Sequence, residues 1–127
     1  MPDLAPIHHV KLPVRDLLAS RDWYQRVLGF EVEIEFREDG QLRGLAMVDR
    51  TRVVRLALRA EPQRAGCLSG FDLLALGVPT RDEVHAWVRY LDALQQKHGG
   101  VVTGHQGGAV LVGLHDPDGI EVRLYAD

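Results

Sequence analysis

Six side chains in this sequence combine a chemically useful type with a suggestive place: His9, Lys11, Arg55, Glu121, Arg123 and Tyr125. An imidazole can ligate a metal or move a proton, a carboxylate can hold a cation, and a guanidinium offers planar paired donors to a carboxylate, phosphate or phenolate. The last thirteen residues, HDPDGIEVRLYAD, read as a tight turn running into an alternating strand, which puts Glu121, Arg123 and Tyr125 on one face. In HHVKLPV the same period-2 pattern sets His9 and Lys11 opposite Val10, Leu12 and Val14. His8 falls on the other side and reads as structural. His85, His98, His105 and His115 have no paired metal-ligand spacing and read as solvated, and Cys67 has no neighbouring motif that argues for a nucleophile.

These residues need elements to position them. After the first strand, Asp16 stands at a helix cap, Leu17, Tyr24, Val27 and Leu28 share a helical face, and Gly29 offers a left-handed stop. FEVEIEF, LRGLAMV and RVVRLALR read as strands, the first two joined through Asp39-Gly40, a hairpin signal. Residues 60–70, with Pro62, Gly66 and Gly70, lack periodicity and read as a connector. The order then restarts. FDLLALGV alternates, Thr80 and Glu83 form a capping box, and Val84, Trp87, Val88, Leu91 and Leu94 make a helical stripe expected to end at Gly99-Gly100. VVT, AVLVGLH and IEVRLYA follow as strands.

Both halves therefore read β-α-β-β-β. The repeat extends to letters: Val10-x-Leu12-x-Val14 matches Leu74-x-Leu76-x-Val78, and Val54-Arg55-Leu56 matches Val122-Arg123-Leu124. The fold class is α+β. A helix must cover one face of each sheet, so the opposite faces, carrying the six residues named above, are expected to curl into one concave trough suited to a ligand.

Composition narrows the partners. The 127 residues, 46% of them hydrophobic, suffice for one core and are short for two independent domains. The expectation is a single domain, with module one at 5–60, a connector at 61–70 and module two at 71–127. A net charge of -3 and a pI near 6.0 give no electrostatic case for nucleic acid or an anionic membrane. The single cysteine excludes an intrachain disulfide, no apolar run approaches a membrane span, and residues 1–6 carry no secretion-signal pattern, so the cytoplasm is the expected location.

HHVKLPVRDLLASRDWYQRVLGFEVE at the start and HDPDGIEVRLY at the end together resemble the vicinal oxygen chelate superfamily, which includes glyoxalases, extradiol dioxygenases, fosfomycin-resistance enzymes and bleomycin-resistance proteins. The resemblance implies paired β-α-β-β-β modules, an open trough and, usually, a homodimer. It also implies a divalent metal held by a His on the first strand of module one, a His or similar ligand on the first strand of module two, and a Glu on the last strand. His9 matches the first position, Leu73 falls at the second, and Arg123, fourth after Gly119, falls at the third. Glu121 lies two positions short, roughly 7 Å along a strand, whereas carboxylate oxygens bind metals at about 2.0 to 2.2 Å. A fourth acid, where relatives use one, would fall at Arg55 or a neighbour, and none occurs there.

The reading is therefore a cytoplasmic homodimer without metal or other cofactor, His9 being the one family ligand position retained. It binds a small anionic or aromatic organic molecule through His9, Lys11, Arg55, Glu121, Arg123 and Tyr125, and no residue is assigned a catalytic role. The alternative is a divalent-metal-dependent lyase or dioxygenase with a non-standard ligand set, His9 and Glu121 with help from the dimer mate. A third reading is an interaction partner whose trough is vestigial.

Overall fold

The computed structural model describes Met1–Asp127 in full and divides the chain into two compact units, Met1–Cys67 and Leu68–Asp127. The first begins with β1 (Val10–Val14), followed by α1 (Leu17–Leu28), β2 (Glu31–Glu38), β3 (Gln41–Val48) and β4 (Arg55–Ala60). Asp16 caps α1 by accepting the N–H groups of Leu18 and Ala19, and Gly29 closes it at φ 71°, the left-handed geometry that a Cβ disfavours. The strands form one sheet in the order β1-β4-β3-β2, with β1 parallel to β4 at an edge, where Pro13 costs no ladder hydrogen bond. Leu12, Val14, Leu45, Met47, Leu56 and Leu58 are buried on the face covered by α1, against Trp23, Tyr24, Val27 and Leu28 of the helix. Tyr24 meets Trp23 and Phe30 edge to face at 4.9 and 6.0 Å, so these aromatics are packing residues.

The second unit repeats the plan with β5 (Leu74–Gly77), α3 (Arg81–Ala93), β6 (Val101–Thr103), β7 (Ala109–His115) and β8 (Glu121–Ala126), its sheet ordered β5-β8-β7-β6. Thr80 caps α3 through the Glu83 N–H. Leu74, Leu111, Leu114, Val122 and Leu124 are buried on the helix side with Val84 and Leu91.

Three local readings are corrected. The connector is not featureless: it holds α2 (Pro62–Ala65), started by a proline whose missing N–H is no loss in a first turn, and a 3-10 turn over Gly66–Leu68. α3 stops at Ala93 rather than at Gly99-Gly100, because Gln95 turns left-handed at φ 57° and the chain is then held by His98. His98 is accordingly not a solvated residue; its side chain is 11% exposed, its Nδ1 accepts the Gly100 N–H at 3.0 Å, and its Nε2 lies 2.7 Å from Asp92. An Nδ1 that accepts must carry the ring proton on Nε2, which donates to the Asp92 carboxylate.

The register also corrects the repeat. Val10 pairs with Leu56 and Leu74 with Val122, so once Val10 is laid on Leu74 the counterpart of Val122 is Leu56, two residues beyond the letter match. The counterpart of Arg123 is Ala57. Arg55 corresponds to Glu121.

Candidate functional site

The face of the first sheet opposite α1 is built in cross-strand rows. Register places Lys11, Ala57, Ala46 and Ile34 in one row, and Pro13, Arg59, Gly44 and Phe36 in the next. Ile34 and Phe36 reach this face through a bulge. Val32 pairs with Met47 and Ile34 with Ala46, so Glu33 is the extra residue and the strand's side chains change sides there. Alternation in EVEIEF would put all three apolar residues on one side; instead Ile34 and Phe36 are 50% and 46% exposed on the face away from α1. Together with His8, His9 and the charged side chains around them, they line a concavity of about 870 Å³. That volume is within the range of sites for drug-sized molecules.

Each arginine in this lining has a carboxylate. Arg55 Nε lies 3.6 Å from Glu33, which Arg52 also binds at 2.8 Å; Arg59 meets Glu38 at 2.6 Å, and Arg37 meets Glu35 at 3.2 Å. Arg55 is thus already engaged rather than a free half of an anion clamp. Lys11 is exposed and has no carboxylate within ion-pairing distance. His9 precedes β1 and is exposed, its Nδ1 2.9 Å from that of His8, so His8 lines the concavity beside His9 instead of pointing away as a structural residue.

The loop leading into β4 is organised by Asp49. Its carboxylate accepts the backbone N–H groups of Thr51, Val53 and Val54 and the Thr51 hydroxyl. Desolvation pushes this carboxyl upward, but the hydrogen bonds from Thr51, Val54 and Val53 outweigh it and hold the group below its ordinary range. Sequence reading passed over Asp49; the cue was an Asp two residues before a Thr in a turn between strands.

In the second unit, Glu121, Arg123 and Tyr125 occupy the face opposite α3, as alternation requires. Glu121 is buried, one oxygen accepting the Gly113 N–H at 2.7 Å and the other the Arg123 Nε–H at 2.8 Å. Arg123 also lies 3.1 Å from Asp72. Its charged form is favoured above the ordinary arginine range by Tyr125 first, against some desolvation, and then by Glu121 and Asp72. Arginine carries its charge at any accessible pH, so this shift records pairing rather than a titration. A bulge in β7 makes the arrangement possible: between the pairs Leu111–Leu124 and Leu114–Val122, two residues of β7 face the single Arg123, and Gly113 at φ 70° turns its N–H onto Glu121. In the turn before β8, Asp116 accepts the N–H groups of Asp118 and Ile120, so that acid is structural.

The family model for the glyoxalase/bleomycin resistance protein/dioxygenase superfamily matches residues 6–124. The chain belongs to this superfamily. Solved structures of superfamily proteins share its fold: a lactoylglutathione lyase from Agrobacterium tumefaciens is 17% identical, with a TM-score of 0.72 over 97% of this chain and 95% of that one. A genomically encoded fosfomycin resistance protein from Listeria monocytogenes is 16% identical, with a TM-score of 0.73 over 98% and 95%. A bleomycin resistance determinant encoded on the transposon Tn5 is 20% identical, with a TM-score of 0.66 over 99% and 98%. At these identities the likeness is one of fold. No curated protein sequence matches the chain.

Superfamily membership raises the question of a chelated metal, and the residues present do not fit one. In the repeat His9 matches Leu73, and Arg123 matches Ala57 on the closing strands, so neither a second imidazole nor an acid stands at the positions the resemblance implies. No three His, Cys, Asp or Glu side chains cluster so as to hold an ion. Glu121, the acid of the alternative ligand set, is buried and spends one hydrogen bond per oxygen on Gly113 and Arg123. No helix is long and apolar enough to cross a membrane.

Proposed function

We propose that this superfamily member binds a small organic molecule, anionic or aromatic, in the concavity of its first sheet, without the chelated divalent metal or any other cofactor. The observation that carries the reading is the concavity itself: an apolar floor of Ile34, Phe36, Ala46 and Ala57 ringed by Lys11, the two histidines and three arginine–glutamate pairs. An apolar floor with polar groups converging at its edge is a composition that suits a small-molecule site. A binding or sequestering role suits this lining better than chelation chemistry, because the positions that would neutralise a dication hold an alanine, a leucine and an arginine. The lyase or dioxygenase alternative would need a further ligand beside His9 and Glu121, and no group of three such side chains forms. A homodimer in the cytoplasm completes the reading.

The test is metal analysis of the purified protein combined with thermal-shift screening of aromatic acids, alcohols and amines. Substoichiometric Zn, Mn, Ni and Fe together with saturable stabilisation by members of the panel is the expected result. Near-stoichiometric metal that is lost on His9→Ala would overturn the metal-free part, and a Leu substitution at Ala46 that leaves ligand binding intact would overturn the location. Light scattering reads the dimer.

A further inference from the structure

We infer that the ligand of this concavity is an amphipathic monoanion, a flat apolar body bearing one acidic group, and that Lys11 is the side chain that reads its charge. The inference rests on the binding reading above and narrows it.

The first argument is the arrangement of the floor. Lys11 and Ile34 end one row across four strands, about 14 Å apart at roughly 4.8 Å per strand, with only Ala57 and Ala46 between them. In the next row the inner places are Gly44 and Arg59, and the Arg59 side chain and the Phe36 ring lie over Gly44. The row of Ala57 and Ala46 therefore lacks bulk, so a flat body can lie along it, with a cation at one end and two exposed apolar side chains at the other. The length suits a fused or linked pair of rings.

The second argument is charge. Arg37, Arg55 and Arg59 already have Glu35, Glu33 and Glu38 beside them, so their charges are offset within the lining. Lys11 has no such carboxylate. The second unit serves as an internal comparison. In the matching register Lys11–Ala57 becomes Ala75–Arg123, so each module carries one cation and one alanine at this pair, exchanged between the strands. In the second module the cation is quenched by Glu121 and Asp72; in the first it is left open. One open cation over an apolar floor selects a single negative charge on an otherwise apolar molecule.

Two fluorescent probes with one body test this: 8-anilinonaphthalene-1-sulfonate, which carries an acid, and N-phenyl-1-naphthylamine, which does not. At low salt the wild-type protein is expected to bind the sulfonate about threefold to tenfold tighter, the scale of one exposed charge-assisted contact. Lys11→Gln, at an exposed position, should bring the sulfonate to the level of the neutral probe and leave the neutral probe unchanged, whereas Arg55→Gln should preserve the preference. Equal binding of the two probes by wild type, or a preference that survives Lys11→Gln, overturns the inference while leaving the binding reading standing. If Ala46→Leu affects neither probe, or neither binds, the binding reading fails and takes the inference with it.

Discussion

Arg123 and Glu121 stand two positions apart on β8, and each completes the other. Sequence alternation put both on one face, but which neighbours they meet depends on a β7 bulge and on Asp72, neither visible from the letters around them. Removing the guanidinium leaves a buried carboxylate with half its partners, so Arg123→Ala is expected to destabilise the protein by about 1 to 3 kcal/mol in urea denaturation. Glu121→Gln should cost a similar amount, since its amide nitrogen must face one of two N–H donors. Asp49 gives a pH-dependent case. Its carboxyl titrates lower in the folded chain than its ordinary 3.8, so its contribution is present above that value and is lost as pH falls through the folded one. Asp49→Asn should cost about 1 to 3 kcal/mol at pH 7, with the gap to wild type closing below about pH 4; a gap that stays constant into acid would contradict the assignment. The role of His98 does not show in metal-ligand spacing, because its partners are a backbone N–H and an acid six residues away.

Elements were more legible than their edges. Caps at Asp16, Gly29 and Thr80 and the Asp39-Gly40 turn are local chemistry, so the letters specify them, and Asp39 and Gly40 do take φ of 51° and 76°. Bulges are set by what the partner strand needs and escaped notice. The same blindness misaligned the repeat by two residues: identical letters, Val-Arg-Leu, were matched where strand pairing matches Leu56 to Val122. The β7 bulge also offers a test. A Cβ on Gly113 would sit 2.7 Å from the Gly99 nitrogen with φ still at 70°. Gly113→Ala is therefore expected to lower stability by about 2 to 4 kcal/mol, combining steric clash with a left-handed backbone. An equilibrium unfolding curve that coincides with wild type would show that the bulge relaxes freely.

At the level of the whole chain, the doubled β-α-β-β-β order was readable because it recurs in periodicity, capping and turn signals at once, each supporting the others. The candidate site was only half readable: parity named the strands' outward residues but not the pairing that engages the arginines and leaves Lys11 open. Metal challenge belongs to this scale. A divalent ion held at a hundred times its dissociation constant would stabilise the fold by about 2.7 kcal/mol. Neither adding Zn, Mn or Ni nor removing metals with a chelator should move the melting temperature, and a saturable rise with any of them would reinstate chelation.

The looped-out Glu33 has one more implication. Were that residue taken into the ladder, β2 would keep a plain two-residue beat, and the greasy side chains now half open to solvent would swing beneath the first helix, into space that Leu45, Met47 and Tyr24 already fill. A single supernumerary carboxylate thus lets one hydrophobic rhythm furnish both the interior and the wall that a guest would touch.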